Sequence, residues 1–310
     1  MIVINHSDIV QCLRKVGVAE GQIIYVYSDL SVLGMIKGMR SKEAFCQTYL
    51  DALFEVLTMS GTVVVPTFTT QVARFDMDFI LEETPSLTGL FSEYIRCHPD
   101  SLRSVHPLNS VCAIGKEKEY ICSNNGLSDF GWDSPFQRMH QKNAKIISIG
   151  LESGYVVGIA HYLEAQCGLP YVYNKLLKWI PIVNGSSVNK MYFSSKRYLD
   201  IVVGGYDLTE FVKHMREIGE IVSVRLGGGW VHLADFEKVF LEGTKMLRDD
   251  PYFLLKKVPE FVYGKLPFDG PTGEREGLGD KNATESTSFN WDGYYLLNKY
   301  YAGGDDHELE

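Results

Sequence analysis

No apolar run in this 310-residue chain approaches the length needed to cross a bilayer. No signal-peptide pattern opens it either, so a cytoplasmic protein without a membrane partner is expected. Cysteine is sparse and scattered: the six residues, at positions 12, 46, 97, 112, 122 and 167, show no C-x-x-C spacing. That pattern argues against a zinc site or a disulfide framework and for reduced thiols, several of them in apolar runs where cysteine is a small core residue. A basic stripe is also missing, and the formal net charge is -9, which argues against nucleic acid as a partner. The glycine run 227–229 is followed by no Lys-Ser/Thr, and no G-x-G-x-x-G frame is present, so a turn is a better reading than a phosphate loop. No internal repeat is visible. What remains is a composition of 45% hydrophobic and 22% charged residues, that of an ordinary globular protein with a sizeable core.

The order of elements points to an α/β fold. Ser7 can cap a first helix with Ile9, Val10, Leu13 and Val16 on one face and Gly17 at its end. Residues 22–27 are a continuous apolar run, as in a strand buried on both faces. Ser41 begins a long helix to about Met59, and 61–65 is the next buried strand. Strand, crossover helix and strand in succession predict a parallel sheet. Residues 71–85, with Asp76, Asp78, Glu82 and Glu83, read as a mobile acidic loop. Residues 86–97 read as a helix, 110–114 as a strand, and Ser134-Pro135 as the start of a short capped helix. Beyond residue 177 the pattern becomes a hairpin at Asn184-Gly185, a helix opened by Asp207-x-x-Glu210, the strand Ile221–Leu226, a triple-glycine turn and a helix from Asp235. From about 265 onward the chain is polar and glycine-rich, with an aromatic island at 291–301.

Chemistry concentrates in residues 154–175. The apolar run Lys145–Ile149 reads as a strand ended by Gly150, and helical spacing follows from Tyr155 to Gln166, stopped by Gly168 and Pro170. His161 and Glu164 are three apart and share a helix face. A neutral imidazole there can accept a proton while the carboxylate orients it. The same spacing also suits a partly buried histidine tied to a helical neighbour. Metal binding is a weaker reading, because no third or fourth ligand is visible.

His161-x-x-Glu164 followed by Leu169-Pro170-Tyr171-x-Tyr173 resembles a segment of the aminoglycoside 3-N-acetyltransferase family. So do Arg103-Ser104-x-His106-Pro107-x-x-Ser110 and Phe130-Gly131-x-x-Ser134-Pro135-Phe136. Val65-Pro66-Thr67-Phe68-Thr69 and Ser28-Asp29-Leu30-x-x-x-Gly34 precede them in the family's order. The resemblance spans roughly residues 20–176, with weaker similarity to about 250. It implies an acyl-CoA-dependent enzyme, using acetyl-CoA or another acyl-CoA and no metal, that N-acylates an amino sugar such as an aminoglycoside antibiotic or a nucleotide-linked sugar. His161 and Glu164 would be catalytic, His161 as general base in direct transfer. Ser28, Asp29, Leu30, Thr67, Arg103, Ser104, His106, Ser110, Phe130, Gly131 and Ser134 would serve the cofactor. Asp76, Tyr171 and Tyr173 would face the acceptor, and the acidic stretch 71–85 would attract a cationic one. Many sequences of the family carry Thr three residues before the histidine, where this chain has Gly158.

The expected fold is therefore α/β, with a mixed, largely parallel central sheet flanked by helices and a smaller C-terminal hairpin and helical portion. Residues 1–176 would form the acyl-CoA-binding core, 177–265 a smaller β/α portion packing on it, and 266–310 a tail. A homodimer is compatible with this reading. Two rivals stand beside it. One is a hydrolase using Cys112 or Cys167 with His161, although Cys167 lies six residues beyond His161 and so on a diverging helix face. The other is a non-catalytic relative that binds CoA or a sugar.

Overall fold

The computed structural model describes residues 2–39, 41–198, 201–202 and 205–261. The expected tail 266–310 and its aromatic island lie outside the described residues. The chain opens with β1 (Val3–Ile4) and α1 (His6–Val16). Asn5, not Ser7, caps α1, because its side chain accepts from Asp8 N while Asp8 returns a bond to Asn5 N. Then come β2 (Ile23–Ser28), β3 (Met35–Ile36), α2 (Lys42–Leu57, capped by Ser41), β4 (Thr62–Pro66), α3 (Thr70–Arg74) and α4 (Leu90–Cys97). The middle of the chain forms β5 (Leu102–Arg103), β6 (Val111–Gly115), α5 (Lys118–Cys122), α6 (Pro135–Gln141) and β7 (Lys145–Ile149). It continues into α7 (Ala160–Cys167), β8 (Val172–Leu176), β9 (Ile182–Val183), β10 (Ser186–Ser187) and β11 (Phe193–Arg197). The last described elements are α8 (Thr209–Glu217), β12 (Ile221–Leu226), β13 (Gly229–Asp235) and α9 (Phe236–Asp249).

A seven-stranded mixed sheet in the order β12-β13-β7-β2-β4-β6-β5 forms the centre of this α/β fold. The parallel pairing expected from the strand–helix–strand succession is found at its middle, where β2 lies between β7 and β4. Antiparallel pairs extend the sheet on either side, and β12 and β13, from the second expected portion, are hydrogen-bonded into it. The three central strands carry mostly apolar residues because both faces are covered. Ile24, Val26, Val63, Val65, Ile147 and Ile149 join the core beneath α1, α2 and α4. Tyr25, Val64 and Ile146 join the opposite core beneath α6, α7 and α9. Two small antiparallel pairs, β8–β11 and β9–β10, stand outside the sheet. The second turns at Asn184-Gly185, both at positive φ, as the hairpin signal requires.

Residues 71–85 are anchored rather than loose. They begin in α3, bury Phe79 completely, and bridge to the β9 strand through Ile80 and Ile182. The helix expected over 86–97 starts at Leu90, after a turn in which Ser86 and Thr88 bond each other. Thr209 opens α8, and Asp207 accepts from its N–H without a full capping box. At the β12–β13 hairpin, Leu226 pairs with Gly229 across a two-residue turn. A Cβ at Gly227 would lie 1.9 Å from the Leu33 carbonyl, so glycine lets this tip rest on the chain that follows β2.

Candidate active site

Ligands of open α/β sheets bind at the carboxyl ends of the parallel strands. Here β2 ends at Ser28, β7 at Ile149 and β4 at Pro66. After β7 the chain makes a 3-10 turn, Ser153–Val157, and breaks at Gly158 before α7 begins. The expected helix from Tyr155 is thus two pieces, and His161 falls in the first turn of the second. Tyr27, on the neighbouring strand, donates to the Gly158 carbonyl at 3.2 Å and fixes the break in place.

The His161–Glu164 pair forms as the spacing predicts. Nδ1 of His161 lies 3.1 Å from Glu164 Oε2. The imidazole side chain is 41% exposed and that of Glu164 1%. Tyr206 completes the cluster: its hydroxyl donates to Glu164 Oε2 at 2.5 Å and sits 2.9 Å from His161 Nδ1. Burial, reinforced by the Glu164 charge, pushes the Tyr206 phenol well above its ordinary range, so it remains a donor. With the Tyr206 O–H donating to the carboxylate, both oxygens facing Nδ1 are acceptors, which favours a proton on Nδ1. The lone pair of the neutral ring is then on Nε2. Phe130 stacks on His161 with ring centroids 5.5 Å apart and planes 26° from parallel. Tyr171 is wholly buried. Burial and the Glu164 charge raise its phenol too, although its hydroxyl and Glu164 Oε1 are not aligned as a hydrogen bond.

Phe130 is held from behind. Asp129 accepts from Phe130 N at 2.9 Å, from Ser195 N at 3.1 Å and from Ser194 Oγ. Gln166, on α7, donates to the Phe130 carbonyl at 2.9 Å. Arg138 gathers the loop before it through the carbonyls of Tyr120, Ser123 and Asn124 and an ion pair with Asp133. Gly131 N donates to Ser128 Oγ, and Ser134 caps α6 through Gln137 N. Sequence reasoning did not single out Tyr206, Asp129 or Arg138, and no local motif marks them.

The segment 103–110 is an internal brace. Arg103 donates to Ser110 Oγ and to the carbonyls of Leu81, Thr84 and Thr67, and burial lowers its guanidinium to about 10. Thr67 and Ser110 bond each other at 3.0 Å, and Ser104 Oγ accepts from Val111 N. His106 Nδ1 accepts from Leu108 N and Asn109 N while Nε2 faces the Phe193 carbonyl. The expected direct service of these side chains to a cofactor finds their polar atoms already engaged within the protein. Asp76 is likewise engaged, with Lys178 at 2.9 Å and Trp179 at 3.0 Å, and Tyr173 stacks on Tyr198 at 4.5 Å.

Ser28 closes β2, and Asp29 and Leu30 begin the turn that follows it. Asp29 Oδ1 accepts from Ser31 N and Ser31 Oγ, and Leu30 is buried. Beside Val32 of this loop lies a cavity of about 780 Å³ whose lining includes Glu152, Arg216, Gly228, Trp230 and His232. Arg216 donates to Ser153 at 2.9 Å, and the indole of Trp230 is 44% exposed. No group of three or more His, Cys, Asp or Glu among the described residues is placed to hold a metal. The Cys112 form of the cysteine rival finds no support here. Cys112 is buried in β6 and burial raises its thiol, and His161 Nδ1 faces Glu164 and Tyr206 rather than a sulfur.

The histidine–carboxylate pair lies just beyond the carboxyl ends of the parallel strands. The chain belongs to the aminoglycoside 3-N-acetyltransferase family, whose model matches residues 25–248. Among similar proteins, the prophage-derived aminoglycoside N(3')-acetyltransferase-like protein YokD of Bacillus subtilis is 25% identical over 170 residues, 48% of this chain and 60% of that one. Aminoglycoside N(3)-acetyltransferase VIII of Streptomyces fradiae is 23% identical over 186 residues, 54% of this chain and 63% of that one. The matched part thus spans about three fifths of these relatives' length. The same fold is seen in AAC-IIIb in its binary complex with CoASH, with a TM-score of 0.67, 17% identity, and coverage of 83% of this chain and 100% of that one. It is seen again in AAC-VIa bound to sisomicin, with a TM-score of 0.67, 21% identity, and coverage of 79% and 98%.

Proposed function

We propose that this protein transfers an acyl group from acyl-CoA to the amino group of an amino sugar, with His161 as general base. The observation that carries the reading is the contact of His161 Nδ1 with both Glu164 Oε2 and the Tyr206 hydroxyl. They occupy Nδ1, and the tautomer this arrangement favours leaves the lone pair of the 41% exposed imidazole on Nε2. The names of family relatives, which are aminoglycoside N-acetyltransferases, support the reaction class.

The chemistry follows from elementary requirements. Bound acyl-CoA supplies an activated carbonyl at its thioester. The amine nitrogen attacks the thioester carbon while His161 Nε2 takes the proton it loses and Glu164 stabilises the imidazolium; the C–S bond then breaks, and the departing CoA thiolate takes that proton from the imidazolium to leave as free thiol. Phe130 and Tyr206 hold the ring in plane, which keeps the base aimed without reorganisation. The lining of the cavity beside Val32 fits a nucleotide: Arg216 offers a guanidinium for phosphate and Trp230 a face for a base. The Ser28–Leu30 loop at the mouth of β2 would lie along the rest of the cofactor.

The test is a matrix of acyl-CoA thioesters and amino-sugar acceptors followed by free thiol release. Acceptor-dependent thiol release that is lost in His161→Ala is expected. CoA binding with no transfer to any amine would favour the non-catalytic alternative.

A further inference from the structure

Tyr206 is held from two directions. Its backbone forms an antiparallel bridge with Leu255, flanked by bonds from Asp207 N to the Leu254 carbonyl and from Lys256 N to the Gly205 carbonyl. Over its ring lies the guanidinium of Arg197, 4.1 Å from the ring centroid. Arg197 ends the β8–β11 ribbon, paired with Val172, and Tyr198 N beyond it donates to the Tyr171 carbonyl. The ribbon thus fixes the backbone from which the arginine side chain reaches Tyr206. Arg197 Nη1 is buried and makes no hydrogen bond among the described residues. A planar, weakly hydrated cation suits an aromatic face, and such a contact strengthens away from water.

The contact matters because of what the Tyr206 hydroxyl touches. It donates to Glu164 Oε2 at 2.5 Å and sits 2.9 Å from His161 Nδ1. Glu164 is 1% exposed, and its Oε1 has no hydrogen-bond partner among the described residues. A buried carboxylate held by so few bonds depends on each of them. Burial raises the phenols of Tyr206 and Tyr171, the Glu164 charge adds to the effect, and the Arg197 charge opposes it. One carboxylate and one guanidinium therefore act on the same two phenols with opposite sign. We propose that Arg197 is a positioning residue: stacked on Tyr206, it keeps the phenol donating to Glu164 and so keeps His161 Nδ1 against the carboxylate. It acts through Tyr206 and needs no contact with acyl-CoA or acceptor. Its effect on rate rests on the acyl-transfer reading, whereas its effect on the His161 tautomer does not.

The test compares the parent full chain with two neutral variants, Arg197→Met and Arg197→Gln, and with Arg197→Lys, using circular dichroism melts to verify folding. Histidine is labelled at its ring nitrogens and read by long-range hydrogen–nitrogen NMR at one pH above the imidazole titration, with His161→Asn to assign the His161 signals. In the parent, His161 is expected mainly in the form protonated at Nδ1. Both neutral variants are expected to move it toward a mixture of tautomers, and Arg197→Lys to stay near the parent. In steady-state kinetics the neutral variants are expected to lower kcat about 10- to 30-fold, with KM for acyl-CoA within about twofold. On a Tyr206→Leu background, where the ring is gone, Arg197→Met is expected to change kcat by less than about threefold. A parent-like tautomer in a folded neutral variant overturns the proposal. So does a full further loss of kcat on top of Tyr206→Leu, or the failure of both neutral variants to fold, which would make Arg197 a residue of stability alone. Absence of thiol release with every acceptor would count against acyl transfer, and the nitrogen spectra would still decide the role of Arg197.

Discussion

Tyr206 sits 42 residues beyond Glu164, yet its hydroxyl meets both Glu164 and His161 Nδ1. Hydrogen bonds to charged groups contribute about 1.5–3 kcal/mol. Tyr206→Phe is therefore expected to lower kcat about 10- to 100-fold with KM for acyl-CoA unchanged, as steady-state kinetics would read. His161 and Glu164 were legible in the sequence because the i, i+3 rule is local. Tyr206 and Asp129 were not, because their contacts come from distant turns of chain. His106, expected in a cofactor loop, has both ring nitrogens facing partners within the protein. Burial holds it below the ordinary histidine range, and His232 is lowered by burial and then by Arg216. Unfolded histidines take up protons near pH 6.5, while these native ones stay neutral to lower pH. The contribution is complete above about pH 6.5 and is lost as pH falls toward the native pKa values. Urea midpoints are expected to drop on acidification from about pH 7.5 to about 5.5. The drop should be smaller in His106→Asn, whose amide oxygen can replace Nδ1 as acceptor.

At the scale of elements, β2, β4 and β7 were readable because strands covered on both faces are near-continuous apolar runs. The antiparallel flanks were harder. β5 has two residues, and the places of β12 and β13 depend on pairing with a strand far away in sequence. Helix starts misread by a few residues trace to caps, as at Asn5, or to a turn before the helix, as at Ser86. The break before α7 matters most, because it places His161 in a first turn. A Cβ at Gly158 would lie 2.8 Å from the Tyr155 carbonyl, so the 3-10 turn must shift to admit one. Gly158→Thr, which restores the residue common in the family, is expected to cost about 1–3 kcal/mol of stability through overpacking. Thermal denaturation would register it, and a matching loss of kcat would indicate that the turn aims His161.

For the whole molecule, the two apolar cores hold the sheet between helix layers, and the cleft chemistry gathers where its parallel strands end. Saturating CoA is expected to raise the thermal midpoint by a few degrees, since a ligand at about 100 times its Kd stabilises the native state by about 2.7 kcal/mol. If its nucleotide end enters the cavity beside Val32, the exposed indole of Trp230 should report it as a fluorescence change absent from Trp230→Leu. No shift with CoA at concentrations where other anions do shift the midpoint would remove the cofactor from the account. The most direct measurement is single-turnover acyl transfer by the parent and by His161→Ala, with acyl-CoA and acceptor both saturating. A base held by Glu164 and Tyr206 requires the variant to be about 10²- to 10⁴-fold slower while binding CoA as tightly as the parent. Equal rates in a folded variant would contradict that role and leave His161 as a structural partner of Glu164.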